Sequence, residues 1–335
     1  MSSSKTKQKE LPSNEIKTIE ELNSIHKFKP WAIDNLTKKR LFLMVLCFIL
    51  TLGPIRFIIV ILLHLICLIF MQIMVIGTKP EQPYSNFRKR LIEVVTQFLC
   101  RLACFFYGYV NIKFVGEKNY KNWKKNRKER IIISNHSSLL DMELILSFIT
   151  GGFIAKESVR RMPFIGNINK CLQGLFVDRK KKNSWIFKEI QKRGETKGIF
   201  PLVIFPEGTT SNNKCLLSFK VGAFSAGIPI QPIIIKYKGC FPLPFLDLTY
   251  TYYHPFVVCI AQFCNIYNSI EMTFMDPIIP NPEEKKNPEL YSQNVQKKMS
   301  QVSQLPIINS RYRDALEYRK IIKLIKEQEK EKKNK

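Results

Sequence analysis

Along most of the chain apolar and polar residues alternate in short blocks, but one stretch breaks that pattern. Residues 41–77, LFLMVLCFILTLGPIRFIIVILLHLICLIFMQIMVIG, are almost free of charge. From Phe57 to Gly77 the run is long enough to cross a bilayer, which takes roughly 20 apolar residues. The half before Gly53-Pro54 is too short for a full crossing. Pro54 breaks the helix there, and Arg56 just after it has to reach headgroups or water. Lys38, Lys39 and Arg40 precede the run, while Lys79, Arg88, Lys89 and Arg90 follow it. Basic residues on both flanks favour keeping both ends cytosolic. The pattern therefore predicts a membrane hairpin bent at Gly53-Pro54; a single crossing and a buried hairpin of a soluble core are the other readings.

Upstream, residues 1–40 are polar and lysine-rich and read as a loosely ordered basic arm. From residue 85 the pattern turns globular. Short runs rich in Ile and Val alternate with stretches of helical periodicity: YVNIKFVG (109–116), RIIIS (130–134), GLFVD (174–178), LVIF (202–205) and IQPIIIKY (230–237). Buried strands separated by helices predict an α/β layer fold over residues 85–300. The remainder, residues 301–335, spaces Leu316, Ile321, Ile322 and Ile325 at helical intervals among charges, which predicts a basic amphipathic helix as a tail.

Charge and cysteine content narrow the setting. A formal charge of +26 suits a polyanionic surface, whether an anionic membrane, phosphorylated small molecules or nucleic acid. No nucleic-acid recognition motif accompanies that charge, so a nucleic-acid partner is not expected. Nine cysteines carry no CxxC pair and no metal-ligand spacing, and no cleavable signal peptide is evident. That usage points to a reducing, cytosol-facing location and to no metal site.

Candidate chemistry starts at SNHSSLLDMELI (134–145), which follows the apolar run Ile131-Ile132-Ile133. If Ser134 or Asn135 caps a new helix, His136 stands at the end of a strand, where α/β folds build their sites. Asp141 lies just over one helical turn further on, close enough to hold one imidazole nitrogen. The other nitrogen is then a base able to take a proton from a hydroxyl. Ser137 and Ser138 are possible nucleophiles, but neither sits in a G-x-S-x-G elbow. Arg179 ends a second apolar run, where a guanidinium can grip phosphate or merely open the solvated RKKK run. VIFPEGTTSN (203–212) ends a buried strand in a loop presenting the Glu207 carboxylate, hydroxyls and N–H groups at one spot. Further on, FKVGAFSAGIPIQPI (219–233) adds Lys220 and a proline-flanked strand.

These blocks, in this order, resemble the glycerolipid (PlsC-type) acyltransferase superfamily: H-x4-D, a block ending in arginine, F-P-E-G-T, and a proline-containing apolar block. The likeness runs over roughly residues 85–300. LLSFKVGAFSAGIPIQPIIIKY, EEKKNPELYSQNV and the upstream TLGPIR look most like the lysophosphatidylcholine acyltransferases. The resemblance implies a mixed sheet flanked by helices, with His136 as general base and Asp141 as its orienting partner. Arg179 would hold a phosphate, and Glu207, Gly208, Thr209 and Lys220 would bind and position the acceptor. Acyl-CoA is then the cosubstrate, a lysophospholipid the acceptor and the phospholipid membrane the setting, with no bound cofactor. Lysophosphatidic acid or glycerol 3-phosphate as acceptor, and a non-catalytic membrane scaffold, are the alternatives. Animal members of this branch often append EF-hands, whereas no D-x-[DN]-x-[DN]-G loop occurs here. The final KKNK fits the dilysine pattern of endoplasmic reticulum retrieval, which predicts that membrane with the catalytic domain facing the cytosol.

Overall fold

The computed structural model of the chain describes residues 18–32, 37–79, 82–126, 130–162, 165–178, 184–243, 249–251 and 254–334. It opens with α1 (Ile19–Ser24) and a 3₁₀ turn (His26–Trp31), followed by two apolar helices, α2 (Lys38–Leu50) and α3 (Gly53–Val75), and by α4 (Asn86–Phe106). The layered part then runs β1 (Asn111–Val115), α5 (Glu117–Asn126), β2 (Ile131–Ser134), α6 (Asp141–Leu146), β3 (Gly152–Lys156), α7 (Ile165–Cys171), β4 (Leu175–Val177) and α8 (Ser184–Glu195). It continues through β5 (Leu202–Ile204), β6 (Leu216–Leu217), β7 (Ile230–Phe241), α9 (Pro255–Phe263) and β8 (Tyr267–Phe274). α10 (Pro282–Lys286), α11 (Pro288–Ser303), β9 (Ile307–Ile308) and α12 (Tyr312–Asn334) complete the described chain.

The fold is mixed α/β, with a sheet ordered β1-β8-β7-β2-β5-β3-β4 and flanked by helices. All neighbours are parallel except β7 and β8. β2 lies between β7 and β5, so every one of its side chains is buried, as expected of a strand covered on both faces. Its pleat sends Ile132 to one face and Ile131 and Ile133 to the other. Ile132 joins the core beneath α3, α4 and α6, while Ile131 and Ile133 join the core beneath α8 and α11. β8 alternates between partly and fully buried positions along its whole length, the period-2 signature of a half-covered strand.

The two apolar helices meet at a tight bend. Leu52 takes a left-handed conformation (φ 56°) and Pro54 sits in the first turn of α3, where its missing N–H costs nothing. A side chain at Gly53 would collide with Phe48 of α2, so the bend needs glycine there. α3 is long and apolar enough to cross a membrane by length and composition. Nevertheless Val60, Leu63, Cys67 and Met71 form one stripe buried in the same core as the sheet, and the helix packs on α4, α7 and α9. Ile58, Leu62, Ile66 and Ile69 remain outside.

Three expectations are corrected. Arg56 does not reach outward: Nε donates to Phe106 O (2.8 Å) and Nη1 to Asn265 O (2.8 Å). A guanidinium has five donors in a rigid fork, and here it serves loop carbonyls that no helix or strand satisfies. Residues 18–32 of the supposed loose arm are packed: Leu22, Phe28 and Trp31 are buried against Tyr318 and Ile322 of α12. Leu316 does not share that buried face of α12; it is exposed, and Ala315, Tyr318, Ile321, Ile322 and Ile325 fill the stripe.

Candidate active site

Where β2 ends, Asn135 substitutes a side chain for the sheet ladder. Its Nδ2 donates to Ile235 O and its Oδ1 accepts from Ile235 N–H, both at 2.8 Å. This ties the first residue past β2 to β7 and fixes the direction in which His136 leaves the sheet. Neither Ser134 nor Asn135 caps α6; that helix begins at Asp141 after Leu140 and has no side-chain cap.

Asp141 is wholly buried. Its Oδ2 accepts from His136 Nδ1 (2.8 Å) and from the Ser137 and Ser138 N–H groups (2.6 and 2.8 Å). Its Oδ1 accepts from the Tyr237 hydroxyl at 2.6 Å. Four donors converge on the carboxylate and fix its orientation. A carboxylate on Nδ1 keeps that nitrogen protonated, so the lone pair of the neutral ring lies on Nε2. The imidazole stacks on Phe205, with ring centroids 4.1 Å apart and planes at 15°. Tyr237 stays a donor because burial and the adjacent Asp141 both push its phenol well above the ordinary range.

Phe205 leads into the second block. Glu207 Oε1 lies 3.4 Å from the His136 N–H and also takes the Leu217 N–H. Glu207 is fully buried, which pushes its carboxyl well above the ordinary carboxylate range despite those donors. The carboxyl that the loop was expected to present is buried, and its Oε2 has no hydrogen-bond partner. Gly208 is left-handed (φ 66°), and a Cβ there would run into Lys220 Nζ. Glycine is therefore required both by the turn and by the approach of the lysine. Thr209 is buried beside them; Thr210 Oγ1 donates to Tyr250 O. The loop is tied to the dyad by Ser211 N–H on His136 O (3.0 Å) and by Tyr250 N–H on Ser137 O (2.7 Å). Arg179 lies outside the described residues.

Three cavities follow one another past this site. One of about 240 Å³ is almost wholly apolar and lies between α3, α4, α6 and α7, with Leu139 and Leu140 of the dyad loop in its wall. Its polar lining includes Thr96, Asn169 and His64, whose Nε2 is 3.3 Å from Glu143 Oε1 while Nδ1 donates to Val60 O. Ala155 is shared with a second, smaller cavity that takes in Phe205, Gly208 and Lys220. Lys220 is shared in turn with a polar cavity of about 850 Å³, lined also by Glu207, Gln296, Asn309, Arg311 and Arg313. The dyad loop borders the apolar cavity through Leu139 and Leu140, while Phe205, stacked on His136, borders the second and Glu207 the polar one. Sequence reasoning singled out His136, Asp141, Glu207, Gly208, Thr209 and Lys220, and the fold brings these together. It missed Tyr237, Phe205 and Asn135, whose roles depend on pairing between strands far apart in the chain.

A buried carboxylate orienting a histidine at a strand end is an arrangement suited to general acid–base chemistry. The family model "Acyltransferase" matches residues 111–236, spanning β1 to β7. The chain belongs to the glycerolipid (PlsC-type) acyltransferase superfamily. It is 30% identical over 263 residues to mouse "Lysophosphatidylcholine acyltransferase 2B", covering 74% of this chain and 49% of the relative. It is 28% identical over 268 residues to human "Lysophosphatidylcholine acyltransferase 2", covering 78% and 48%. The chain thus spans about half the length of the curated relatives it matches. Among solved structures, the 1-acyl-sn-glycerophosphate acyltransferase PlsC of Thermotoga maritima superposes with a TM-score of 0.47 at 20% identity, over 74% of this chain and 97% of that one.

Proposed function

We propose that this protein transfers a fatty acyl group from acyl-CoA to the free hydroxyl of a lysophospholipid, with a lysophosphatidylcholine-type acceptor, at a membrane surface. The observation that carries this reading is the His136–Asp141 pair, whose loop borders the apolar cavity through Leu139 and Leu140 and whose neighbour Glu207 borders the polar one. His136 Nε2 takes the proton of the acceptor hydroxyl as its oxygen attacks the thioester carbonyl. The C–S bond then breaks, and the imidazolium returns the proton to the departing CoA thiolate. Asp141 keeps the ring in the productive tautomer and stabilises its charged form, as a buried orienting carboxylate does in other acyl-transfer sites.

The apolar cavity fits an acyl chain. The polar one fits a phosphorylated headgroup, because Lys220, Arg311 and Arg313 supply positive charge. Glu289 and Asp314 line the same cavity, and both signs of charge suit a zwitterionic headgroup. Arg179 is proposed as a further phosphate ligand. The apolar pair α2 and α3 supports residence at the cytosolic leaflet.

The test is a panel: purified protein, labelled acyl-CoA and each lysophospholipid class in turn, with glycerol 3-phosphate included. Transfer to lysophosphatidylcholine, lost by about 10²–10⁴-fold in His136→Ala, is the expected result. Selective transfer to lysophosphatidic acid or glycerol 3-phosphate would replace the acceptor assignment. No transfer to any acceptor, from protein that binds membranes and melts cooperatively, would leave a scaffold.

A further inference from the structure

The segment ahead of the membrane helices reaches the active-site loop by routes that no motif of the chain describes. Trp31 is buried to 1% exposure, and its indole N–H donates to Thr210 O at 2.9 Å. Asn212 N–H donates to Pro30 O (2.8 Å), and Asn212 Nδ2 to Lys29 O (2.7 Å). These bonds cross about 180 residues of sequence and land on the two sides of Ser211, whose N–H holds His136 O. Thr210 also bonds Tyr250 O, and Tyr250 N–H bonds Ser137 O. The loop that walls the site is therefore held by the arm on one side and by the dyad backbone on the other.

The arm is anchored in its own right. Lys27 pairs with Glu317 (3.2 Å), Ser310 Oγ donates to Lys27 O (2.8 Å), and Tyr318 donates to Asn23 (2.7 Å). Phe28 lies against the Tyr318 ring, with centroids 5.7 Å apart. Cys215 and Leu217 share that apolar core, and the Leu217 N–H reaches Glu207. A mobile linker to a membrane anchor needs none of these contacts.

We infer that residues 27–31, with Trp31 foremost, are a positioning element of the acyl-transfer site: they set the Thr209–Asn212 loop for the acceptor. Trp31 is not a catalytic residue; it acts through the loop. The inference rests on the proposed reaction for its kinetic consequence, but not for its structural one.

The experiment compares wild type, Trp31→Phe and Trp31→Ala as full-length chains in detergent, by amide exchange and by kinetics. Trp31→Phe keeps most of the packing and removes the indole N–H, and one neutral hydrogen bond corresponds to about a 2- to 10-fold change in a local equilibrium. Exchange at Ser211 and Asn212 should accelerate by about that factor in Trp31→Phe, and by more in Trp31→Ala, while Ile131–Ile133 of β2 stays protected. The acceptor KM should rise by a similar factor while the acyl-CoA KM holds. Unchanged exchange at Ser211 and Asn212 overturns the inference, as does a rise shared equally by β2, which would mean simple destabilisation. Faster exchange with neither KM nor kcat altered also overturns it, because the arm would then brace a loop that the reaction does not use. Should Trp31→Ala fail to fold, Trp31→Phe decides the question alone. A wild type that acylates no lysophospholipid sinks the functional reading, while exchange still reports whether the arm holds the loop.

Discussion

Asp141 gains its role from the number of donors that converge on it, and Tyr237 is the one that can be removed without touching the dyad loop. In Tyr237→Phe the Oδ1 loses its hydroxyl donor, so the carboxylate that orients His136 is held by fewer bonds. Such a bond is worth about 1.5–3 kcal/mol, which caps the expected fall in kcat at about 10- to 100-fold, with both KM values held. A kcat equal to that of wild type would assign Tyr237 to packing alone. Glu207 offers a second test at this scale. Its folded-state pKa lies well above the unfolded one because of burial, so the unfolded chain binds fewer protons once pH passes about 4.5. Stability is then fully present below that value and declines as pH rises toward the folded pKa. Glu207→Gln cannot ionise and should flatten this decline, seen as a weaker fall in melting temperature with pH. Equal slopes in the two proteins would mean that Glu207 is ionised in the folded state.

Among the elements, α3 has two jobs on two faces. Its buried stripe closes one wall of the apolar cavity, and its outer face presents Ile58, Leu62, Ile66 and Ile69. Arg56 locks the start of this helix to the α4–β1 turn and to the loop after α9. Arg56→Met keeps the apolar stem and removes the fork, stranding carbonyls that water cannot reach. The expected cost is about 2–3 kcal/mol of unfolding stability in detergent, with Arg56→Lys recovering only part because a point charge cannot serve both carbonyls. Unchanged denaturation midpoints in both variants would show that water replaces the guanidinium. The elements also differ in how plainly the sequence announced them. β2, β5 and β7 stood out as Ile- and Val-rich runs. β3 begins at Gly152, directly after Gly151, and the two glycines pack against Gly174 and Pro201, a composition that argues against a strand until its neighbours are present. β8 carried a readable alternation, Ile270, Met272 and Phe274 inward, that its polar intervening residues masked.

For the whole molecule, the decisive fact is that both flanks of the apolar pair belong to one domain. Trp31 is bonded to the active-site loop before the chain enters α2, and α4 packs into the main core after it leaves α3. A single crossing would put residues 18–32 and the catalytic domain on opposite sides of the bilayer, at the cost of the contacts that bury Leu22, Phe28 and Trp31. The hairpin should therefore enter and leave on the same face. In sealed vesicles, tags at both termini should be cleaved by added protease when the catalytic domain faces outward. Protection of the N-terminal tag alone would sink this topology. The same geometry lays α3, about 35 Å long, along the domain, with Ile58, Leu62, Ile66 and Ile69 on its exposed side.

Some properties of this chain needed only local order. The apolar pair with its Gly-Pro bend, the α/β alternation, and the histidine and aspartate spaced to meet were all legible, because period, composition and turn chemistry act over a few residues. Tertiary structure alone decided the others. Folding buried the Glu207 carboxyl, brought Lys220 against Gly208, delivered Tyr237 to Asp141 on β7, turned Arg56 inward to backbone carbonyls, and made part of a polar lysine-rich arm a support for the Thr209–Asn212 loop. Each of these depends on which groups lose water and which distant partner replaces it, and solvent exclusion is a property of the packed molecule that no window of sequence contains.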